Sequence, residues 1–165
     1  MSEYLVMKDI TKDFSGGRAL DRVSFSVEKA EIHGLLGGNG AGKTTLMNIL
    51  SGNYPYGTYS GDFYLSGKLC KFNSPKDSEN NKIAIIHQEL SLVQEMSIAD
   101  NIFLGNELGN RFFVDKKKTR KEAKRVLELV GLDEDPDTLI EEIGAGKQQL
   151  VEIAKALSKD PDLLI

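Results

Sequence analysis

Apolar and polar residues alternate along two stretches near the start of the chain, 4–13 and 19–27. A period of two predicts strands with one buried face. Ser15-Gly16-Gly17-Arg18 between them has the composition of a turn. A second pair, 62–65 and 68–72, flanks Ser66-Gly67 and predicts a hairpin. Ile32, Leu35 and Leu36 lie in a short apolar stretch that reads as a buried strand. Leu46, Ile49 and Leu50 follow at helical spacing, and Gly52 can end that helix. Ile83-Ala84-Ile85-Ile86 is an unbroken apolar run ending at His87-Gln88, as expected of a strand covered on both faces.

Beyond residue 90 the period changes to that of helices. Ser97-Ile98-Ala99-Asp100 resembles a capping box that opens a short helix. Asp115 can cap a longer one, in which Ala123, Val126, Leu127 and Val130 share a face before Gly131. Leu150, Ile153, Ala154 and Leu157 give a last helix its apolar stripe, and it stops near Asp160-Pro161. Asp162-Leu163-Leu164-Ile165 begins another apolar run. No internal repeat or low-complexity segment is present.

Size and composition narrow the class. A chain of 165 residues supports one core and at most a small subdomain. No stretch approaches the ~20 apolar residues of a membrane-spanning helix, and Met-Ser-Glu-Tyr-Leu-Val is no secretory leader. Cys70 is the single cysteine, which excludes an internal disulfide and suits a reducing cytosol. The net charge of −4 gives no general attraction to nucleic acid, and none is expected as a partner. Lys116, Lys117, Lys118, Arg120, Lys121, Lys124 and Arg125 cluster on one predicted helix. A solvated helix face is the favoured reading there, with a phosphate-binding patch as the alternative.

The chemistry is concentrated in Gly37-Gly38-Asn39-Gly40-Ala41-Gly42-Lys43-Thr44-Thr45, which matches the phosphate-binding loop G-x-x-x-x-G-K-[ST]. A triphosphate needs several backbone N–H groups to converge on it. Gly37, Gly40 and Gly42 permit that close approach. Lys43 brings a mobile positive charge to the β- and γ-phosphates. The Thr44 hydroxyl is placed to ligate Mg²⁺, and the following helix aims its positive end at the same anion. A glycine-rich turn matching by chance is the competing explanation, and the flanking strand and helix patterns argue against it.

Three further stretches carry a resemblance: Ile85 to Leu92 (IIHQELSL), Ser97 to Gly105 (SIADNIFLG) and Gly146 to Leu157 (GKQQLVEIAKAL). With the phosphate loop, they make the chain resemble, over its whole length, the ATP-binding subunits of ABC transporters. Within that family it looks most like the importers of pentoses and related monosaccharides. The resemblance implies an α/β fold, a P-loop NTPase of ABC type. It implies an antiparallel β subdomain plus RecA-like core with the phosphate loop over 1–90, and a helical subdomain with the signature motif over 91–158. Residues 159–165 would then start a core strand, broken off before the acidic Mg²⁺-binding and catalytic segment.

The same resemblance gives roles to single residues. Phe14 takes the place of the aromatic that stacks on adenine, the alternative being a core residue. Gln88 takes the place of the glutamine that contacts Mg²⁺ and senses the transmembrane partner, the alternative being a polar residue that closes a strand. The signature L-S-G-G-Q falls on Ile143-Gly144-Ala145-Gly146-Lys147, with Gly144 for the serine and Lys147 for the glutamine. Lys147 either compensates at the phosphate or faces solvent. His87 reads as a packing residue rather than a catalytic one, and nothing in the sequence supports a catalytic role for His33 either.

The implied function is ATP binding and hydrolysis, with Mg²⁺, coupled to monosaccharide uptake at the cytoplasmic face of the cell membrane. The implied partners are transmembrane sugar permease subunits, a second ABC domain in tandem or as a homodimer, and indirectly a sugar-binding protein. The residues of this segment contain no catalytic base, so it is expected to bind ATP without turning it over, and to self-associate through an uncovered sheet edge. The other readings are a soluble ABC ATPase of ribosomes or DNA repair, and a nucleotide switch that only binds.

Overall fold

The computed structural model describes residues 3–86, 90–110 and 113–165. They form two compact units, Met1–Asn81 and Lys82–Ile165.

The first unit is built on an antiparallel sheet of order β2-β1-β3-β4. Strands β1 (Glu3–Phe14) and β2 (Gly17–Glu28) pair along their whole length, from Glu3 opposite Glu28 to Phe14 opposite Gly17. The alternation predicted this pair, and Ser15-Gly16 alone makes the turn. Bulges interrupt the ladder where Asp9 and Arg22 take positive φ. Side chains fill the gaps there: Ser24 Oγ accepts from Asp9 N–H (2.8 Å) and Thr11 Oγ1 from Arg22 N–H (2.9 Å). Strands β3 (Ser60–Leu65) and β4 (Lys68–Cys70) form the second hairpin. Its turn residues Ser66 and Gly67 have φ of 47° and 78°. Two left-handed residues match the strand twist and make this the favoured two-residue turn. Leu5, Met7, Ile10 and Phe63 are buried on the sheet's inner face. Helix α1 (Lys43–Leu50) buries Leu46, Ile49 and Leu50. Helix α2 (Pro75–Asn80) follows, capped by Ser74.

The expected strand at Ile32, Leu35 and Leu36 does not form. Residues 31–38 carry no regular structure, and Ile32 and Leu36 are fully exposed. A strand is held by ladder bonds to neighbours, and no described strand pairs with this stretch. An apolar run alone cannot supply that partner.

In the second unit, β5 (Ile83–Ala84) pairs in parallel with β6 (Leu163–Leu164). The strand is shorter than the apolar run, but Ile86 N–H still donates to Ile165 O (2.8 Å). Helices α3 (Ile98–Phe103), α4 (Lys116–Leu129) and α5 (Ala145–Leu157) enclose the unit's main apolar core. Ser97 and Asp115 cap α3 and α4 as expected, accepting from Asp100 N–H and Lys118 N–H. The stripe on α5 differs from the expected one. Val151 and Ala154 are fully buried, while Ile153 and Leu157 are only partly so. Val151 and Ala154 join residues of α3 and α4 in that core, so residue size was a poor guide to which face turns inward. No described helix is long and apolar enough to cross a membrane.

Candidate functional site

The residues of the glycine loop lie at the start of α1. Gly42 is the helix N-cap, with φ 90° and ψ 0° and no capping side chain. A Cβ at Gly42 would stand 2.6 Å from Ala19 O and 2.7 Å from Leu20 Cδ2. Only glycine fits, both for its left-handed backbone and for its contact with β2. The first amides of α1 therefore face outward with no side-chain acceptor, at the positive end of the helix. Ala41 N–H donates to Gly38 O (3.2 Å), which closes the loop into a turn. Lys43 curls back over that turn: its Nζ donates to Gly37 O (2.6 Å) and Gly38 O (2.9 Å). Thr44 is exposed. The loop thus offers an ammonium group, free amides and a hydroxyl within one turn of chain. That combination fits a polyphosphate and its cation.

Phe14 ends β1 opposite Gly17 and is 42% exposed, so it is not a core residue. Gly42 packs against Ala19 and Leu20, two to three residues further along β2. The loop and the ring therefore share one end of the hairpin, about 7–10 Å apart along the strand. Tyr54 lies edge-on to Phe14, with ring centroids 5.6 Å apart at 64°. Nothing in the sequence pattern singled out Tyr54. Its nearness to Phe14 follows from the chain turning back after α1, where Tyr54 N–H donates to Asn48 O (3.0 Å).

The other candidates lie in the second unit. Gln88 and His87 fall outside the described residues. The chain just after them is tied down: Ser91 N–H and Oγ–H both donate to Glu152 Oε1 on α5, at 2.6 and 2.8 Å. Asn101, fully buried on α3, accepts from Val93 N–H (2.8 Å) and donates to the carbonyls of Val93 and Ser97 (3.0 Å each). Both were present in the sequence stretches that carried the resemblance, with no sign of this bracing role.

Gly144 is the N-cap of α5, with Ala145, Gly146 and Lys147 in the first turn. Lys147 Nζ donates to Glu134. Gln148, not singled out earlier, donates from Nε2 to Ile140 O and Ile143 O, both at 3.1 Å, and so ties the preceding turn to the helix. His33 is exposed, stacks on Phe25 at 5.7 Å and meets Glu31 through Nδ1 (2.8 Å). On α4, Arg120 pairs with Asp135 and Asp137, and Arg125 with Glu122. The basic cluster is therefore partly neutralised. Among the described residues, no three His, Cys, Asp or Glu side chains gather as a metal site.

The profile of the family described as ABC transporter matches residues 20–165. The chain belongs to this family. Its fold is that of an ABC-type P-loop ATPase. An ATP-binding cassette of an ABC transporter, MJ1267, superposes with a TM-score of 0.84 over 99% of this chain and 68% of that one, at 26% identity. A nucleotide-free cassette from an ABC transporter gives 0.82 at 28% identity, over 98% of this chain and 67% of that one.

Among relatives, the ABC protein described here is 55% identical to the L-arabinose transport ATP-binding protein AraG of Geobacillus stearothermophilus, over 100% of this chain and 32% of that protein. It is 53% identical to the xylose import ATP-binding protein XylG of Geobacillus kaustophilus (strain HTA426), over 99% of this chain and 32% of that protein. The XylG of Moorella thermoacetica (strain ATCC 39073 / JCM 9320) is 54% identical, over 100% and 33%. The chain spans about a third of the length of the curated relatives it matches.

Proposed function

We propose that this chain is an ATP-binding segment of the energising subunit of a monosaccharide importer, with an aldopentose such as arabinose or xylose as cargo. One observation carries the nucleotide part. The uncapped start of α1, the curled Lys43 and the exposed Phe14 ring all lie at one end of the β1–β2 hairpin. Lys43 leaves the Gly37 and Gly38 carbonyls to meet the β- and γ-phosphates. The amides of Gly38 to Thr45 line the phosphates, and Phe14 takes the adenine face. Mg²⁺, when bound, offsets the charge of the β- and γ-phosphates. Thr44 would supply its hydroxyl as the protein ligand.

The cargo and the setting rest on the relatives, whose names give arabinose transport and xylose import. Transmembrane permease subunits, a second ABC domain and a sugar-binding protein are the proposed partners, at the cytoplasmic face of the membrane. Gly144 to Lys147 at the start of α5 would face the second ABC domain. The exposure of the Lys147 side chain (54%) and its pairing with Glu134 support the solvent-facing reading over the phosphate one. A soluble ABC ATPase of ribosomes or DNA repair draws no support from these names.

Calorimetric titration with Mg·ATP tests the nucleotide reading. Lys43→Ala should weaken binding at least about tenfold, since a charge-assisted phosphate contact contributes about 1.5–3 kcal/mol. Equal affinity in the two proteins would remove the loop from the site. Deleting the gene should abolish uptake of one aldopentose. Uptake of both arabinose and xylose at the parental rate would refute the importer reading.

A further inference from the structure

Lys12 is buried, with 8% of its surface exposed, near the end of β1. A lysine normally keeps its ammonium in water while its stem packs. Here the Nζ donates to Thr58 O (2.5 Å) and stands over two rings, 5.2 Å from the centre of Phe14 and 5.0 Å from that of Tyr54. Both distances lie within the range at which a cation is attracted to a ring face. One face of Phe14 is thus covered by a cation, its neighbour Tyr54 meets it edge-on, and the ring is still 42% exposed. Gly17, opposite Phe14 in the ladder, presents no side chain, and a Cβ there would meet open space. The loop that carries Tyr54 and Thr58 is fastened to α1 through Tyr54 N–H and Asn48 O, the helix that starts at the phosphate loop.

We propose that Lys12 is a positioning residue of the base site. It sets Phe14, with Tyr54 edge-on beside it, as the shelf on which a purine stacks, and it ties that shelf to the phosphate-binding helix through Thr58. This rests on the reading of Phe14 as the ring that meets the base. The ammonium draws electron density through the ring from behind. The open face of Phe14 becomes a better partner for an electron-rich purine. Lys12 itself touches neither base nor phosphate.

Two probes separate the base from the phosphates: Mg·ATP and Mg·tripolyphosphate, titrated calorimetrically into the purified protein. Lys12→Met and Phe14→Ala should each weaken ATP binding about three- to tenfold while tripolyphosphate binding stays at the parental value. The double variant should be no weaker than Phe14→Ala alone, because both remove the same shelf. Lys12→Arg, which keeps a cation over the rings, should restore most of the affinity. The chain has no tryptophan, so Phe14→Trp supplies a local fluorescence signal. ATP should quench it, tripolyphosphate should not, and adding Lys12→Met should reduce the quench.

Unchanged ATP affinity in Lys12→Met, or equal loss of both probes, would overturn the proposal. If Phe14→Ala also binds ATP like the parent, the base-site reading falls as well. If Phe14→Ala weakens ATP and Lys12→Met does not, only the role of Lys12 falls. Should Lys12→Met fail to fold, Tyr54→Leu decides: it must weaken ATP and spare tripolyphosphate, and any other result overturns the shelf.

Discussion

At the scale of single residues, Gly42 is the glycine of the phosphate loop with the least room for a side chain. A methyl group there would press on the Ala19 carbonyl and the Leu20 side chain at a backbone angle that L residues rarely adopt. Gly42→Ala should cost about 1–3 kcal/mol of stability and weaken Mg·ATP binding, because relieving the clash moves the first turn of α1. Gly38→Ala is the control for folding, since a Cβ at Gly38 meets nothing within 4 Å. Thermal unfolding of the two variants checks this, and equal transitions would contradict it. Tyr59 shows a different constraint. Burial, helped by the nearby Tyr56, Asp62 and Cys70, pushes its phenol from 10.0 up to about 12. Between those values the unfolded chain gives up the proton more readily than the folded one. Stability from this group is therefore complete below pH 10 and is lost as pH rises towards 12. Tyr59→Phe should flatten that part of the stability profile, read by denaturant unfolding across pH 9–12.

At the scale of elements, hairpins were legible and buried polar braces were not. Alternation located β1 to β4, because a sheet with one covered face writes its period into the sequence. Ser66-Gly67 marked a tight turn for a local reason, the left-handed backbone at both positions. Gly37 to Thr45 stood out in the sequence as a candidate because the glycines and lysine answer to one ligand shape, and the structure places their end at the start of α1. The 32–36 stretch misled because pairing is non-local. Asn101 was illegible for the opposite reason: its identity matters through carbonyls that the sequence cannot show to be near. All the polar atoms of its side chain are satisfied by residues 93–97. Asn101→Ala strands Val93 N–H and several carbonyls in a dry place. It should cost about 2–3 kcal/mol, seen as a fall in the denaturant midpoint of the second unit. Asn101→Asp should be no better, since a carboxylate cannot donate to those carbonyls. A variant with parental stability would show that water replaces the amide.

At the scale of the whole molecule, two units with separate cores raise the question of what a ligand at one does to the other. The candidate nucleotide residues Phe14 and Gly37 to Thr45 all lie in residues 1–81. The main core of residues 82–165 is formed by α3, α4, α5 and the segments between them. A ligand stabilises the cooperative unit that it binds. At a hundred times the dissociation constant, that gain is about 2.7 kcal/mol, or about a hundredfold in the protection of amides that exchange by opening that unit. Saturating Mg·ATP should therefore slow hydrogen exchange about a hundredfold in α1 and in the β1–β2 hairpin. The amides of α3 to α5, whose opening the ligand does not oppose, should exchange as before. Mass spectrometry of peptides from the two units, with and without nucleotide, measures both at once. Equal slowing in α4 would mean that the units open together, and the energetic boundary near residue 81 would then be refuted even though each unit buries its own core.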